Sequence, residues 1–166
     1  MATVTFAGNT MNLVGNLPAV GDAAPDFCLT ANDLSAKKLA DYAGKVLVLV
    51  TVPSLDTPVC DLEVKRFNKE AAALGDKVSV VCASCDLPFA QARWCGAADV
   101  KNVESLSDYR DGSFGKAYGL YVKELDLLCR AIVIVKDGKV AYTQVVSEMT
   151  NQPDFDAVLN AVKELV

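Results

Sequence analysis

Six cysteines, at positions 28, 60, 82, 85, 95 and 129, together with the lack of any histidine, define the chemistry open to this chain. Without histidine there is no Ser-His-Asp triad, no Cys-His dyad, no HExxH zinc site and no Cys2His2 finger. Thiol chemistry remains, because a helix N-terminus, a hydroxyl and a cation are enough to favour thiolate over thiol. Only four arginines, Arg66, Arg93, Arg110 and Arg130, can grip sulfur or oxygen through a fork of donors. In a reducing compartment all six cysteines are expected as thiols unless function oxidises them.

Cys60 closes the stretch Pro53-Ser54-Leu55-Asp56-Thr57-Pro58-Val59-Cys60, and the flanking segments say how it is held. Before it, Val46-Leu47-Val48-Leu49-Val50-Thr51-Val52 is an unbroken apolar run rich in β-branched residues, as expected of a central strand covered on both faces. After it, Cys60, Val64, Phe67, Ala71 and Leu74 fall on one face of a helix that Gly75 can close. Thr57 then Pro58 reads as N-cap and first helical residue: the hydroxyl accepts an orphan N–H, and proline has none to lose. Cys60 therefore lies in the first turn, on the buried face, where free N–H groups and the helix dipole favour a thiolate. Asp61 and Glu63 oppose that charge, so a cation is wanted nearby. A cysteine at such a place can also be a small apolar residue and nothing more. Here the cap, the proline and the strand-to-helix switch coincide, which favours a reactive thiol.

The remaining cysteines divide less clearly. Cys82-Ala83-Ser84-Cys85 is a C-x-x-C, which invites a dithiol or half a metal site. A catalytic pair normally opens a helix, whereas Cys82 falls inside the apolar run Val78 to Ala83; zinc lacks a second ligand pair. Cys82 is expected buried and Cys85 near the strand's exit. Cys28, in an extended segment, is expected in the core, and Cys129 stands beside Arg130.

At 166 residues and a net charge of −5, the chain is expected to form one domain over residues 1–166, with neither nucleic acid nor an anionic membrane as its main partner. Met1 to Phe6 lack the features of a signal peptide and no apolar run approaches membrane-spanning length, so a soluble, cytoplasmic protein is expected. In order, the pattern predicts an N-terminal hairpin over Val4 to Val14, an extended segment at Ala24 to Leu29, and a short helix or turn over Ser35 to Asp41. A β-α-β unit from Val46 to Ala83 follows, then a helix from Pro88 stopping at Gly96 and a short strand at Val103 to Leu106. A short helix at Phe114 to Tyr118, a hairpin turning at Asp137-Gly138, and a last helix from Pro153 complete the chain. This is the element order of an α/β, thioredoxin-like fold: a central mixed sheet flanked by helices, with an N-terminal β-hairpin extension.

Pro53-x-x-x-Thr57-x-x-Cys60 resembles the peroxiredoxin active-site motif, and the fuller stretch resembles that of the atypical two-cysteine thiol peroxidases within that family. The similarity extends through Thr10 to Leu17, Val20-Gly21-Asp22-x-Ala24-Pro25-Asp26-Phe27, Asp86-Leu87-Pro88-Phe89-Ala90-Gln91 and Arg93-Trp94-Cys95-Gly96. The resemblance implies a peroxidatic Cys60, a resolving Cys95, a Cys60–Cys95 intrachain disulfide as oxidised product, and supporting roles for Pro53, Thr57 and Arg130. It further implies reduction of hydrogen peroxide and alkyl hydroperoxides, thioredoxin as reductant, a homodimer, and no cofactor or metal. Cys85 and Cys129 look like additions to the family pattern. Two other functions remain open: a redox sensor in which Cys60 oxidation alters a partner contact, and a disulfide oxidoreductase using Cys82 and Cys85.

Overall fold

The computed structural model describes all 166 residues. Strands β1 (Thr3–Phe6) and β2 (Asn9–Val14) pair antiparallel across Ala7 and Gly8, which both take the positive φ that a tight hairpin turn requires. A second short hairpin, β3 (Cys28–Thr30) and β4 (Ala36–Lys38), leads into a 3-10 turn over Leu39–Tyr42. The short helix or turn expected over Ser35 to Asp41 is thus extended in its first half, because Ala36–Lys38 pair with β3 before the backbone coils.

The β-α-β unit forms as expected from β5 (Val46–Thr51), α1 (Pro58–Leu74) and β6 (Val78–Ser84). The helix α2 (Pro88–Ala98) and strand β7 (Val103–Ser107) come next. The helix does not stop at Gly96. It runs on until Asp99 takes a left-handed conformation and its N–H closes on the Cys95 carbonyl, so an aspartate supplies the terminating geometry assigned to glycine. After α3 (Ser113–Ala117) comes a two-residue hairpin, β8 (Tyr121–Val122) and β9 (Leu127–Leu128), too short to show any period in the sequence. The chain ends with β10 (Ala131–Lys136), β11 (Lys139–Val145) and α4 (Phe155–Leu165), the last begun by Asp154, whose carboxylate accepts the Ala157 N–H.

Seven strands form the main sheet in the order β11-β10-β5-β6-β7-β3-β4, and β1-β2-β8-β9 form a smaller one. Within the main sheet β5, β6 and β7 run parallel, while β10 lies antiparallel to β5 with Ala131 opposite Thr51. All six residues of β5 are buried. Its side chains alternate: Val46, Val48 and Val50 enter a core with Val64 and Phe67 of α1 and Val158 and Val162 of α4. Leu47 and Leu49 face the opposite core, built with Phe27, Phe114 and Tyr118 beneath the small sheet. No helix is long and apolar enough to cross a membrane.

Candidate active site

At the end of β5 the chain passes through Val52 and Pro53, both buried, and turns over Ser54 to Thr57 into α1. Thr57 is extended, as an N-cap must be. Its hydroxyl accepts the Cys60 N–H at 3.4 Å and donates to the Ser54 carbonyl at 3.0 Å, so one side chain closes the loop and opens the helix. Pro58 occupies the first helical turn, and Cys60 is wholly buried on the face that packs against β5.

Strand pairing delivers the cation. Because Ala131 lies opposite Thr51, Arg130 sits just beyond the end of β5, level with the turn that carries Cys60. Thr51 pins this edge by donating its hydroxyl to the Cys129 carbonyl at 2.7 Å. The Arg130 side chain is 2% exposed and every nitrogen of its fork is engaged: Nη2 reaches the Cys60 sulfur at 3.2 Å, Nε donates to the Met149 carbonyl at 3.0 Å, and Nη1 donates to Glu63. Burial works against the guanidinium charge, but Glu63 and Cys60 hold it on and move Arg130 above its ordinary range.

In the sequence Glu63 is only a charge opposing the thiolate. The structure makes it the partner of Arg130. It lies one turn after Cys60, with no solvent exposure, and its Oε1 has no hydrogen-bond partner. Burial pushes this carboxyl up to about 7 against the pull of Arg130. A signal was available: Glu63 interrupts the apolar stripe of Cys60, Val64 and Phe67 with a charge, and charges are buried only when paired.

Cys95 is half-buried on α2 and packs against the same core as Cys60, from a different helix. Its sulfur lies 3.2 Å from the Ser105 hydroxyl, which in turn donates to the Asn32 side-chain oxygen at 3.3 Å. All six cysteines are free thiols. Asp61, beside Cys60, accepts the Trp94 indole N–H at 2.9 Å, which ties the first turn of α1 to the residue preceding Cys95.

The C-x-x-C pair is separated by the sheet. Cys82 points into the core that holds Cys60, whereas Cys85, three residues on and past the strand's end, packs against the opposite core. Burial pushes the Cys82 thiol well above its ordinary value and Cys85 and Cys129 up to about 12. The expectation for Cys28 is corrected: it is exposed, because the fully buried Leu29 claims the inward-facing position of the short strand β3.

A mixed sheet flanked by helices, with a buried thiol at the helix start following the central strand and an arginine on its sulfur, defines a thioredoxin-like enzyme of cysteine redox chemistry. A family profile described as Redoxin matches residues 19–159. The chain is 53% identical over 167 aligned positions to the thiol peroxidase of Bacillus subtilis strain 168, covering 100% of this chain and 99% of that protein. It is 51% identical to the thiol peroxidase of Halalkalibacterium halodurans, covering 98% of each. Among solved structures, a peroxiredoxin-like protein from Aquifex aeolicus superposes with a TM-score of 0.93 at 43% identity, covering 100% of this chain and 98% of that one. The chain belongs to the thiol peroxidases of the peroxiredoxin family and is a thiol-dependent peroxidase.

Proposed function

We propose that residues 1–166 act as one domain that reduces hydrogen peroxide and alkyl hydroperoxides through Cys60, with Cys95 as resolving thiol and thioredoxin as the reductant. The observation that carries this reading is the 3.2 Å contact between Arg130 Nη2 and the Cys60 sulfur at the opening turn of α1. The Cys60 thiolate attacks the terminal peroxide oxygen. The O–O bond breaks, sulfur keeps one oxygen as sulfenic acid, and the departing oxygen takes a proton to leave as water or alcohol. Charge spreads over both oxygens during this displacement, and the Arg130 fork, held by Glu63 and the Met149 carbonyl, is already in place to stabilise it. Thr57 holds the turn, and Pro53, buried where the turn leaves β5, supports it without adding an N–H that would bind water.

Cys95 then displaces hydroxide from the Cys60 sulfenic acid, which leaves as water, and the disulfide is reduced by a dithiol such as that of thioredoxin. A disulfide requires Cα atoms about 4.4–6.8 Å apart, so α1's first turn and the Cys95 segment unwind to meet. No metal or organic cofactor enters this cycle. The assembly is a homodimer in the cytoplasm, and the exposed Leu87 and Phe89 beside the Trp94 groove support such a surface.

The test is a non-reducing peptide map by mass spectrometry after treating the fully reduced protein with one equivalent of peroxide. A Cys60–Cys95 linkage within one chain is expected. A Cys82–Cys85 linkage with Cys60 unmodified would overturn the mechanism, and the placement of those two thiols against opposite cores weighs against it.

A further inference from the structure

The Asp86 carboxylate stands outside the Cys60–Arg130–Glu63 cluster, yet it accepts hydrogen bonds from the loop that delivers Cys60 and from Ser84, which connects it to the helix that carries Cys95. Asp86 lies between the end of β6 and the start of α2. Its Oδ1 accepts the Ser54 hydroxyl at 2.7 Å, and its Oδ2 accepts the Leu55 N–H at 2.9 Å and the Ser84 hydroxyl at 2.7 Å. Ser54 and Leu55 belong to the loop that delivers Cys60. Ser84 passes the connection onward: its oxygen accepts from the amide of Gln91, which is fully buried on α2 one turn before Cys95 and also donates to the Leu106 carbonyl at 2.8 Å. The Ser107 hydroxyl donates to the Asp86 backbone carbonyl and anchors the same corner to β7.

From this network we infer that Asp86 is the positioning residue that holds the Cys60 loop and the Cys95 helix together in the folded arrangement and sets how readily both release. The inference rests on the Cys60–Cys95 reading above. Hydrogen bonds to an ionised carboxylate are stronger than neutral ones, and here three donors from two segments converge on one group. Attack on peroxide needs the loop held so that Cys60 meets Arg130; disulfide formation needs the loop and α2 to let go. One carboxylate therefore pulls the two steps in opposite directions. Loosening it slows the first and speeds the second, because the open form is a larger share of the population.

The test compares Asp86→Asn with the wild-type chain in stopped flow, following Trp94 fluorescence and quenched samples for Cys60 sulfenic acid, disulfide and sulfinic acid. Asn keeps the size but replaces one accepting oxygen with an NH2 that faces the donors. The second-order rate of Cys60 oxidation is expected to fall about threefold, the first-order rate of disulfide formation to rise about fivefold, and sulfinic acid at high peroxide to decrease. Val4→Ala, which opens the core on the opposite face of the sheet from Cys60 and Cys95, serves as a control for general destabilisation and is expected to leave both rates near wild type. Ser54→Ala removes a single donor to Asp86 and is expected to repeat the opposed changes on a smaller scale, so the test survives if Asp86→Asn does not fold. Should the wild-type chain form the Cys60–Cys95 disulfide while the variants resolve at its rate, or no differently from Val4→Ala, the assignment of Asp86 is overturned. Absence of that disulfide in the wild type would instead overturn the reading beneath it.

Discussion

Arg130 is among the largest fully buried side chains in the molecule, and its charge is tolerated because Glu63, Cys60 and the Met149 carbonyl share its donors. The arrangement has a pH signature carried by Glu63. Its carboxyl titrates at about 7 in the fold against an ordinary 4.5, so the folded chain holds that proton more tightly than the unfolded chain does. This contribution to stability is complete below the unfolded value and is lost as pH rises through the folded one. Asp108, which burial raises to about 6, adds a change of the same sign. Glu63→Gln removes only the first of these. Urea midpoints measured at about pH 5 and about pH 8 are expected to differ less for Glu63→Gln than for the wild type, by on the order of 3 kcal/mol in unfolding free energy at most. An equal pH dependence in the two chains would show that Glu63 titrates normally in the fold.

At the scale of elements, the decisive feature is the start of α1. A thiol is presented there by a helix turn whose cap, Thr57, bonds both the helix it opens and the loop it closes. Thr57→Val keeps the shape and loses both hydrogen bonds, so a loss of about 1 kcal/mol is expected, with faster amide exchange at Cys60 and its neighbours. The same segment is expected to lose protection on oxidation. Amide exchange over the Cys60 turn and the Cys95 part of α2 should be faster in the disulfide form than in the reduced form, while β5 and β6 stay protected. Because the Trp94–Asp61 hydrogen bond joins α1 directly to α2, the two regions are expected to gain exchange together. Identical exchange in the two redox forms would rule out local unfolding as the route to the disulfide.

For the whole molecule, the sheet divides the buried cysteines by face. Cys60, Cys82 and Cys95 share one core, whereas Cys85 and Cys129 belong to the other, on the far side of the strands. Two exposed apolar side chains adjoin at the start of α2: Leu87 is 52% and Phe89 67% exposed, and both line a groove of about 570 Å3 with Arg93 and Trp94. Apolar side chains left in water on the helix that carries Cys95 are consistent with a second copy covering them. Light scattering on the eluting protein is expected to read the mass of two chains for the wild type and of one for Phe89→Asp. A wild-type mass of one chain would remove the homodimer from the proposal.

What the sequence alone determined is the local part of this enzyme. Thr57, Pro58 and the apolar run before them specify a strand, a capped helix start and Cys60 in its first turn, because capping and periodicity act over a few residues. The order of elements carried the thioredoxin-like fold for the same reason. Tertiary structure decided the rest. Arg130 meets Cys60 only because β10 pairs with β5 in a register that sets Ala131 against Thr51, and Glu63 becomes its partner only once that register exists. The convergence of Ser54 and Leu55 on Asp86 likewise depends on neighbours distant in the chain. Local propensity can place a thiol at a helix start, but a buried ion's partners are chosen by strand register and packing, which no short stretch of sequence contains.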